Sequence, residues 1–431
     1  MWFKRMFINL SSLVSFSFKG SGKFLASKGT IAPQKQGFCG RLHVVRFFKL
    51  LVINNPIKYK QVLGKILLLL VILLVGGLTI FGCTGTRAQP KGWSGGTIAD
   101  GTLLLGSMEG KIVALDTSTG NSLWEVQLKA SSQASRGFSC APGSTTVAIY
   151  GTPIVEGDLV YVGGYNGKIY AINLNKGVER WVYPREDYLQ PIIGGVVVSQ
   201  GKVYYGGSDG KVYALDAATG DREWEFQTGD KIWSTPAIGS DTLYVSSFDK
   251  KLYALSATDG SKKWEFQTEG AIASTPLVYN DTVYIGSFDR YLYAIDANDG
   301  SLKWKFMANN WFWARPVVYN NVIYAGCLDG NVYVLDAGSG NEFVDAIELG
   351  SPISSSPVLV DSSIIVASEE GKVYSIDTGD NQKNELKDLE EKIYAPLGDS
   401  EGTVYIHTEK DALYALELKT GSIREFQLSS K

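Results

Sequence analysis

The sequence is poor in the residues that most often carry chemistry. Its 431 residues hold four cysteines (Cys39, Cys83, Cys140 and Cys327), no two of them adjacent, and two histidines. Past the N-terminal stretch only His407 remains, which argues against a His-dependent triad or a multi-His metal site. Acid is missing from the start: residues 1–65 contain no Asp or Glu, and twelve of the 41 basic residues lie there, leaving 29 against 44 acidic residues in the rest. An acidic body argues against phosphate-backbone binding, so no nucleic-acid partner is expected. Sustained helical periodicity is also absent from the body.

One long apolar run is present. Residues 66–81, ILLLLVILLVGGLTIF, carry no charge, follow Lys58, Lys60 and Lys65, and precede Gly82-Cys83. A basic flank, a short apolar stretch and a small residue before the cut describe an export signal. The run is shorter than the ~20 residues of a spanning helix. Ile80-Phe81-Gly82-Cys83 resembles a bacterial lipobox, although Phe81 is bulkier than usual there, and that resemblance implies lipidation of Cys83. An uncleaved membrane anchor is the alternative. Either way the body is expected outside the cytoplasm. Residues 1–60 fit neither reading and are taken as a mis-called start or a removed extension. The expected organisation is 1–60 extension, 61–83 signal or anchor helix, 84–92 linker and 93–431 body.

The body repeats itself. The segment SDGKVYALD (208–216) returns with variations ending at residues 116, 173, 256, 296, 336, 377 and 417. The eight ends lie 57, 43, 40, 40, 40, 41 and 40 residues apart. Each unit alternates apolar and polar residues between Gly- and Asp-rich turns, the pattern of antiparallel strands. A 40-residue period with three or four strands predicts a β-propeller blade. One blade cannot cover both faces of its sheet, but a ring of blades covers them all and leaves only short edges. The expected fold is all-β: an eight-bladed propeller of four-stranded antiparallel blades after an N-terminal signal or anchor helix. A linear solenoid is disfavoured because neither end carries a distinct capping unit.

A motif sharpens this. Ala114-x-Asp116-x-x-Thr119-Gly120-x-x-x-Trp124 returns from Ala214 through Asp216 to Trp224, and looser versions reach Trp181, Trp264 and, through Asp296, Trp304. It resembles the tryptophan-docking motif of the pyrroloquinoline-quinone (PQQ) propeller repeat. The resemblance implies that each Trp packs between blades while Asp and Thr tie the turn. The last three units depart from it: unit six offers Phe343 near the Trp position, unit seven lacks Thr-Gly after Asp377, and unit eight ends Ile423-Arg-Glu-Phe426. Looser packing, and ring closure, are expected there.

Quinoprotein dehydrogenases share this repeat and hold PQQ with Ca²⁺ beside an adjacent-cysteine disulfide, which this chain lacks. Cys140 leads into unit two's first strand, and Cys327 ends a strand of unit six. Opposite faces exceed the ~7 Å reach of a disulfide, so Cys327 is expected to be a small buried residue. Asp296-Ala-Asn-Asp-Gly300 lacks the bidentate Glu of a calcium loop and reads as a blade turn. No catalytic residue, metal or cofactor is expected.

Function on a propeller sits on loops and the channel mouth. Aligning the units on the Thr-Pro step gives a column three residues before the Pro: Trp93, Tyr150, Ile193, Trp233, Ala273, Trp313, Ser354 and Ile393. These residues open the innermost strands and are expected around one mouth, with Phe312 and Arg315 flanking Trp313 and Lys231 near Trp233. Trp93, Tyr150, Trp233, Phe312, Trp313 and Arg315 are the candidate partner-binding set, because aromatic and Arg clusters mark binding hot spots. Plugging of the channel or packing between blades is the structural alternative. Residues 129–147 are an insertion on the mouth side.

The lipobox, size, blade number and repeat are together similar to the BamB-like propeller lipoproteins of the outer-membrane β-barrel assembly machinery. That resemblance implies a non-catalytic, monomeric scaffold, membrane-tethered by lipid or helix, that docks a membrane or envelope protein. A small PQQ-dependent oxidoreductase binding Ca²⁺ and a ligand- or carbohydrate-binding sensor are the alternatives.

Overall fold

The computed structural model describes residues 92–129 and 147–428. The proposed signal helix, Cys83, Cys140 and most of the 129–147 insertion lie outside the described residues. Thirty-two strands, β1 to β32 in chain order, form eight four-stranded antiparallel sheets, each from four consecutive strands. The innermost strands are β1 (Thr97–Ala99), β5 (Ile154–Glu156), β9 (Val197–Ser199), β13 (Ala237–Gly239), β17 (Leu277–Tyr279), β21 (Val317–Tyr319), β25 (Val358–Val360) and β29 (Gly398–Ser400). β29 lies beside β1, so the array closes into the expected eight-bladed ring.

The second and third strands of each blade are buried almost throughout, because blades cover them on both faces. Blade four's Val245, Leu243 and Leu255, for example, pack with blade three's Tyr204, Val212 and Ala214. The outermost strands alternate exposed and covered residues. Cross-strand pairs to the third strand, such as Lys211–Glu225 and Lys251–Glu265, keep charge on these outer strands, which discourages edge-to-edge pairing.

Each tryptophan of the motif closes a seam with the next blade. The indole Nε1 donates to one backbone carbonyl there: Trp124 to Leu174 (2.7 Å), Trp181 to Ala217 (3.0 Å), Trp224 to Ala257 (3.2 Å), Trp264 to Ala297 (3.1 Å) and Trp304 to Ala337 (3.0 Å). The ring lies flat on a turn glycine. A Cβ on Gly260 would stand 2.6 Å from Trp224. The motif aspartates tie the turns. Asp116 accepts from the Ser118 hydroxyl and from the Thr119 N–H and hydroxyl, and these bonds hold its pKa down to about 2. Asp216 accepts from the Thr219 and Ala218 N–H groups. Asp296 binds the Asn298 N–H and pairs with Lys303.

Two seams differ from expectation. Phe343 is exposed, and Val344 holds the register position of the Trp in blade six. In blade eight, Arg424 pairs with Ala415 as Trp224 pairs with Ala214. Its guanidinium donates to the carbonyls of Thr117 and Ser118 in blade one, and it stacks 4.6 Å over Phe426. Buried His407 completes this closure, its Nδ1 2.9 Å from the Ser94 carbonyl and its Nε2 2.9 Å from Asp411.

Candidate functional site: an aromatic channel mouth

In each antiparallel blade the first and third strands start, and the second and fourth end, at one rim. The connections between blades and the turns between second and third strands therefore share that rim. Three residue positions per blade build it: the aromatic column, the residue two places before it, and the first residue of the turn. The last two are fastened to each other, as in Phe248 N–H to the Lys231 carbonyl and Phe288 N–H to Ala271.

The column keeps one register in seven units and shifts in the eighth. Ile393 is fully buried, like Ile192, Ile232, Ile272 and Ile353, so it is a core residue. Tyr394 takes the mouth position, and its ring lies 5.7 Å from Trp93. Pro396, rather than the residue before it, abuts Gly95 in the innermost ring. Phe312 is likewise core, 1% exposed and edge-on against Tyr333; Trp233, at 7%, is also largely covered, while Trp93, Tyr150 and Trp313 are half-buried.

The remaining candidates fall into two arcs. In blades four to six, Trp233 lies 4.6 Å from Phe248, Phe248 5.7 Å from Phe288, and Phe288 stacks on both Trp311 (4.5 Å) and Trp313 (5.6 Å). Lys231 Nζ stands 5.0 Å from the Trp233 ring and 4.6 Å from Phe248. In blades eight, one and two, Tyr394, Trp93, Tyr150 and Tyr165 form a chain, with Trp93–Tyr150 at 4.8 Å and Tyr150–Tyr165 at 5.7 Å. Phe248, Phe288, Trp311, Tyr165 and Tyr394 were not among the expected residues. For Tyr165, Phe248 and Phe288 the signal was a second column, the residue before the turn Asp or Asn, which the Thr-Pro alignment did not follow; Trp311 lies two places before the first column and Tyr394 is that column after its shift.

Arg315 sits one step inward, where other blades place Gly95, Thr152, Gly195 or Thr235. Its N–H donates to the Ser356 hydroxyl at 3.1 Å. Its side chain is exposed, yet enclosure by protein lowers its pKa. Both hold for a channel-lining group that water reaches without bulk solvent surrounding it, and the guanidinium stays charged.

Several polar atoms at this rim are buried without a partner: Ser208 Oγ, Trp233 Nε1, Ser354 Oγ and Glu369 Oε1. Burial raises the pKa of Glu369, while Ser354 and Lys392 temper the rise. Ser354 thus stands close to the carboxylate but outside hydrogen-bond geometry, and the orphaned atoms are the more telling observation. Native proteins leave few such atoms, and each calls for an explanation.

The family profile of outer membrane protein assembly factor BamB matches residues 84–231 and 224–425, from before the first strand into the last. The chain belongs to the BamB family. A similar protein, outer membrane protein assembly factor BamB of Kangiella koreensis, is 33% identical over 97 residues, 22% of this chain and 23% of that protein. The match therefore spans under a quarter of that relative's length. Among solved structures, BamB from Moraxella catarrhalis superposes with a TM-score of 0.51 at 20% identity, over 64% of this chain and 96% of that one. The computationally designed Ika8 protein gives 0.61 at 14% identity, over 79% and 98%. At these identities the two structures support the fold alone.

In this BamB-family ring Cys327 is a free, fully buried thiol. Burial pushes its pKa up to about 12, and its Sγ lies 3.4 Å from the Asn310 and Trp311 carbonyls, so it is the inert packing residue expected. Among the described residues no three His, Cys, Asp or Glu side chains are grouped to hold a metal ion.

Proposed function

We propose that this protein is a non-catalytic docking scaffold of the cell envelope. A membrane or envelope protein docks on the aromatic mouth, and the chain is tethered at the extracytoplasmic surface. The carrying observation is the unfinished state of that mouth: rings contributed by six blades surround polar atoms that have lost water and gained no partner. Membership of a family described by outer-membrane assembly supports the same reading. The tether is a lipid on Cys83 or the uncleaved helix, and the mass of the mature N-terminus distinguishes them. No cofactor is invoked.

Affinity capture from solubilised membranes tests this. Trp233→Ala with Trp313→Ala is expected to remove most partner capture while the circular dichroism of the ring persists. Undiminished capture by that folded double variant moves the docking site elsewhere. The competing oxidoreductase reading is settled by incubation with PQQ and Ca²⁺. Retained quinone absorbance with dye reduction would replace the scaffold reading by an enzymatic one.

A further inference from the structure

The two arcs of the mouth are chemically unlike. Blades four to six present rings with Lys231 and Arg315, whereas the rings of blades eight, one and two adjoin the carboxylates of Glu369 in blade seven and Glu409 in blade eight, with Lys392 as the cation of that side. We propose that the second arc, around Glu369, Ser354 and Tyr394, is a seat for one arginine side chain of the docking partner. The proposal rests on the scaffold reading and adds the chemistry of what is recognised.

Three observations point to a cation. Glu369 Oε1 is enclosed and has no hydrogen-bond partner, and the Ser354 hydroxyl beside it, on a side chain only 6% exposed, has none either. The Glu369 side chain is itself only partly buried and Lys392 lies within electrostatic reach, but its enclosed oxygen still lacks a donor, and an incoming positive group that brings N–H donors supplies one. The acid is not needed by the fold, since the same turn position holds Met108, Tyr165, Ser208, Phe248, Phe288 and Leu328 in the six preceding blades. Glu409 occupies it in blade eight; burial is the chief cause raising the pKa of the Tyr394 phenol, and the charges of Glu369 and Glu409 raise it further.

The neighbouring surface selects the kind of cation. The Tyr394 ring lies within the field of Glu369 and 5.7 Å from Trp93, and cations gather at aromatic faces. A planar guanidinium can lie on a ring, direct two N–H groups at a carboxylate and still reach a hydroxyl. A compact ammonium cannot do all three.

The test uses the purified full-length chain and the tripeptide acetyl-Ala-Arg-Ala-amide, followed by the tryptophan indole N–H signals. Saturable binding is expected, and replacing Arg by its neutral isostere citrulline should weaken it at least ten-fold. Glu369→Gln, an isosteric change whose folding is checked by circular dichroism, should weaken binding by a similar factor, and Glu369→Asp should recover part of the affinity. Equal affinity for the citrulline peptide, or an unchanged affinity in Glu369→Gln, overturns the seat. Equal affinity for free arginine amide overturns its assignment to a docking partner. The docking reading fails separately, on wild-type capture from membranes: full capture by Glu369→Gln would sink the arginine seat and leave docking intact.

Discussion

Arg424 does with a cation what five other blades do with an indole. It reaches the carbonyl that follows the motif Asp of the next blade, here Thr117, and it covers Phe426 where a Trp would have covered the turn. The sequence showed that unit eight departs from the motif, but not that Arg occupies the Trp register, because register follows from pairing with Ala415 and not from residue type. Glu369 was equally illegible. Its neighbours at the rim, Ser354, Lys392 and Tyr394, come from separate stretches of the chain, and only the folded ring makes the enclosure of its oxygen visible. Its raised pKa has a sign that can be checked. The folded state holds the Glu369 proton more tightly than the unfolded chain, whose carboxyl has the ordinary value of 4.5. Stability from this group is therefore greatest below 4.5, falls as pH rises through the window above it, and stays lower at neutral pH. Glu369→Gln should melt above wild type at pH 7, and the two should converge as pH drops below 4.5. Thermal melts at both ends read this directly, and a constant gap would contradict it. The turn aspartates act oppositely and more weakly because they are exposed. Asp116, held down to about 2, lends stability above 3.8 that is lost as pH falls toward that lower value.

At the scale of the element, the blade hairpins were the most legible feature. Alternation set the strands, and turn chemistry set their ends. The first hairpin of blade five turns on Asn280-Asp281 and that of blade six on Asn321 after Asn320, all at positive φ, as the hairpin turn matching strand twist requires. The second turn needs one left-handed residue. Gly110, Gly167 and Gly210 supply it in blades one to three, but Lys250 (φ 73°) and Arg290 (φ 78°) hold it in blades four and five. A side chain there costs about 1–2 kcal/mol relative to the right-handed region. Glycine relieves that but gives back roughly 0.5–1 kcal/mol of unfolded-chain entropy. Lys250→Gly or Arg290→Gly should each stabilise the ring by about 0.5–1 kcal/mol, measured by denaturant melts. Destabilisation would mean that the long side chain makes a compensating contact. The one error of register belongs to this scale too. Pro396 lies 39 residues after Pro357, while the buried isoleucines Ile353 and Ile393 lie 40 apart. A proline in a connection is free to shift by a residue, whereas an isoleucine filling the core is not, so the packed position is the sounder anchor for aligning blades.

For the whole molecule, closure decides how stability is shared. A ring has no terminal blade, so its weakest seam governs where it opens. From blade one to blade six each seam carries an indole-to-carbonyl bond, and four of them add a tyrosine hydroxyl on the second strand bonded to the same carbonyl, as Tyr204 joins Trp224 at Ala257. Between blades six and seven the indole is replaced by Val344, and Tyr324 bonds the Asn381 side chain instead. Between blades seven and eight, Ile365 stands at the tyrosine position and the outer strand β28 (Lys383–Asp388) brings Asn384, so neither bond is available. That strand, KNELKD, has a single half-buried residue, Leu386, against the alternating cover of its counterparts. Each missing bond forgoes about 1 kcal/mol, and the lost aromatic burial adds roughly 1.5–3 kcal/mol. Blade seven is thus flanked by the two weakest seams and carries the least anchored edge. It should open first, its strand amides exchanging at least ten-fold faster than those of blade four, while the remaining blades exchange together at a slower, global rate. Ile365→Tyr with Asn384→Trp should return the missing pair of donors to the Leu418 carbonyl and slow exchange in blade seven selectively. Hydrogen exchange read by mass spectrometry separates the blades. Protection in blade seven equal to that in blade four would mean that apolar burial alone holds the seams and that the indole and phenol bonds only set their register.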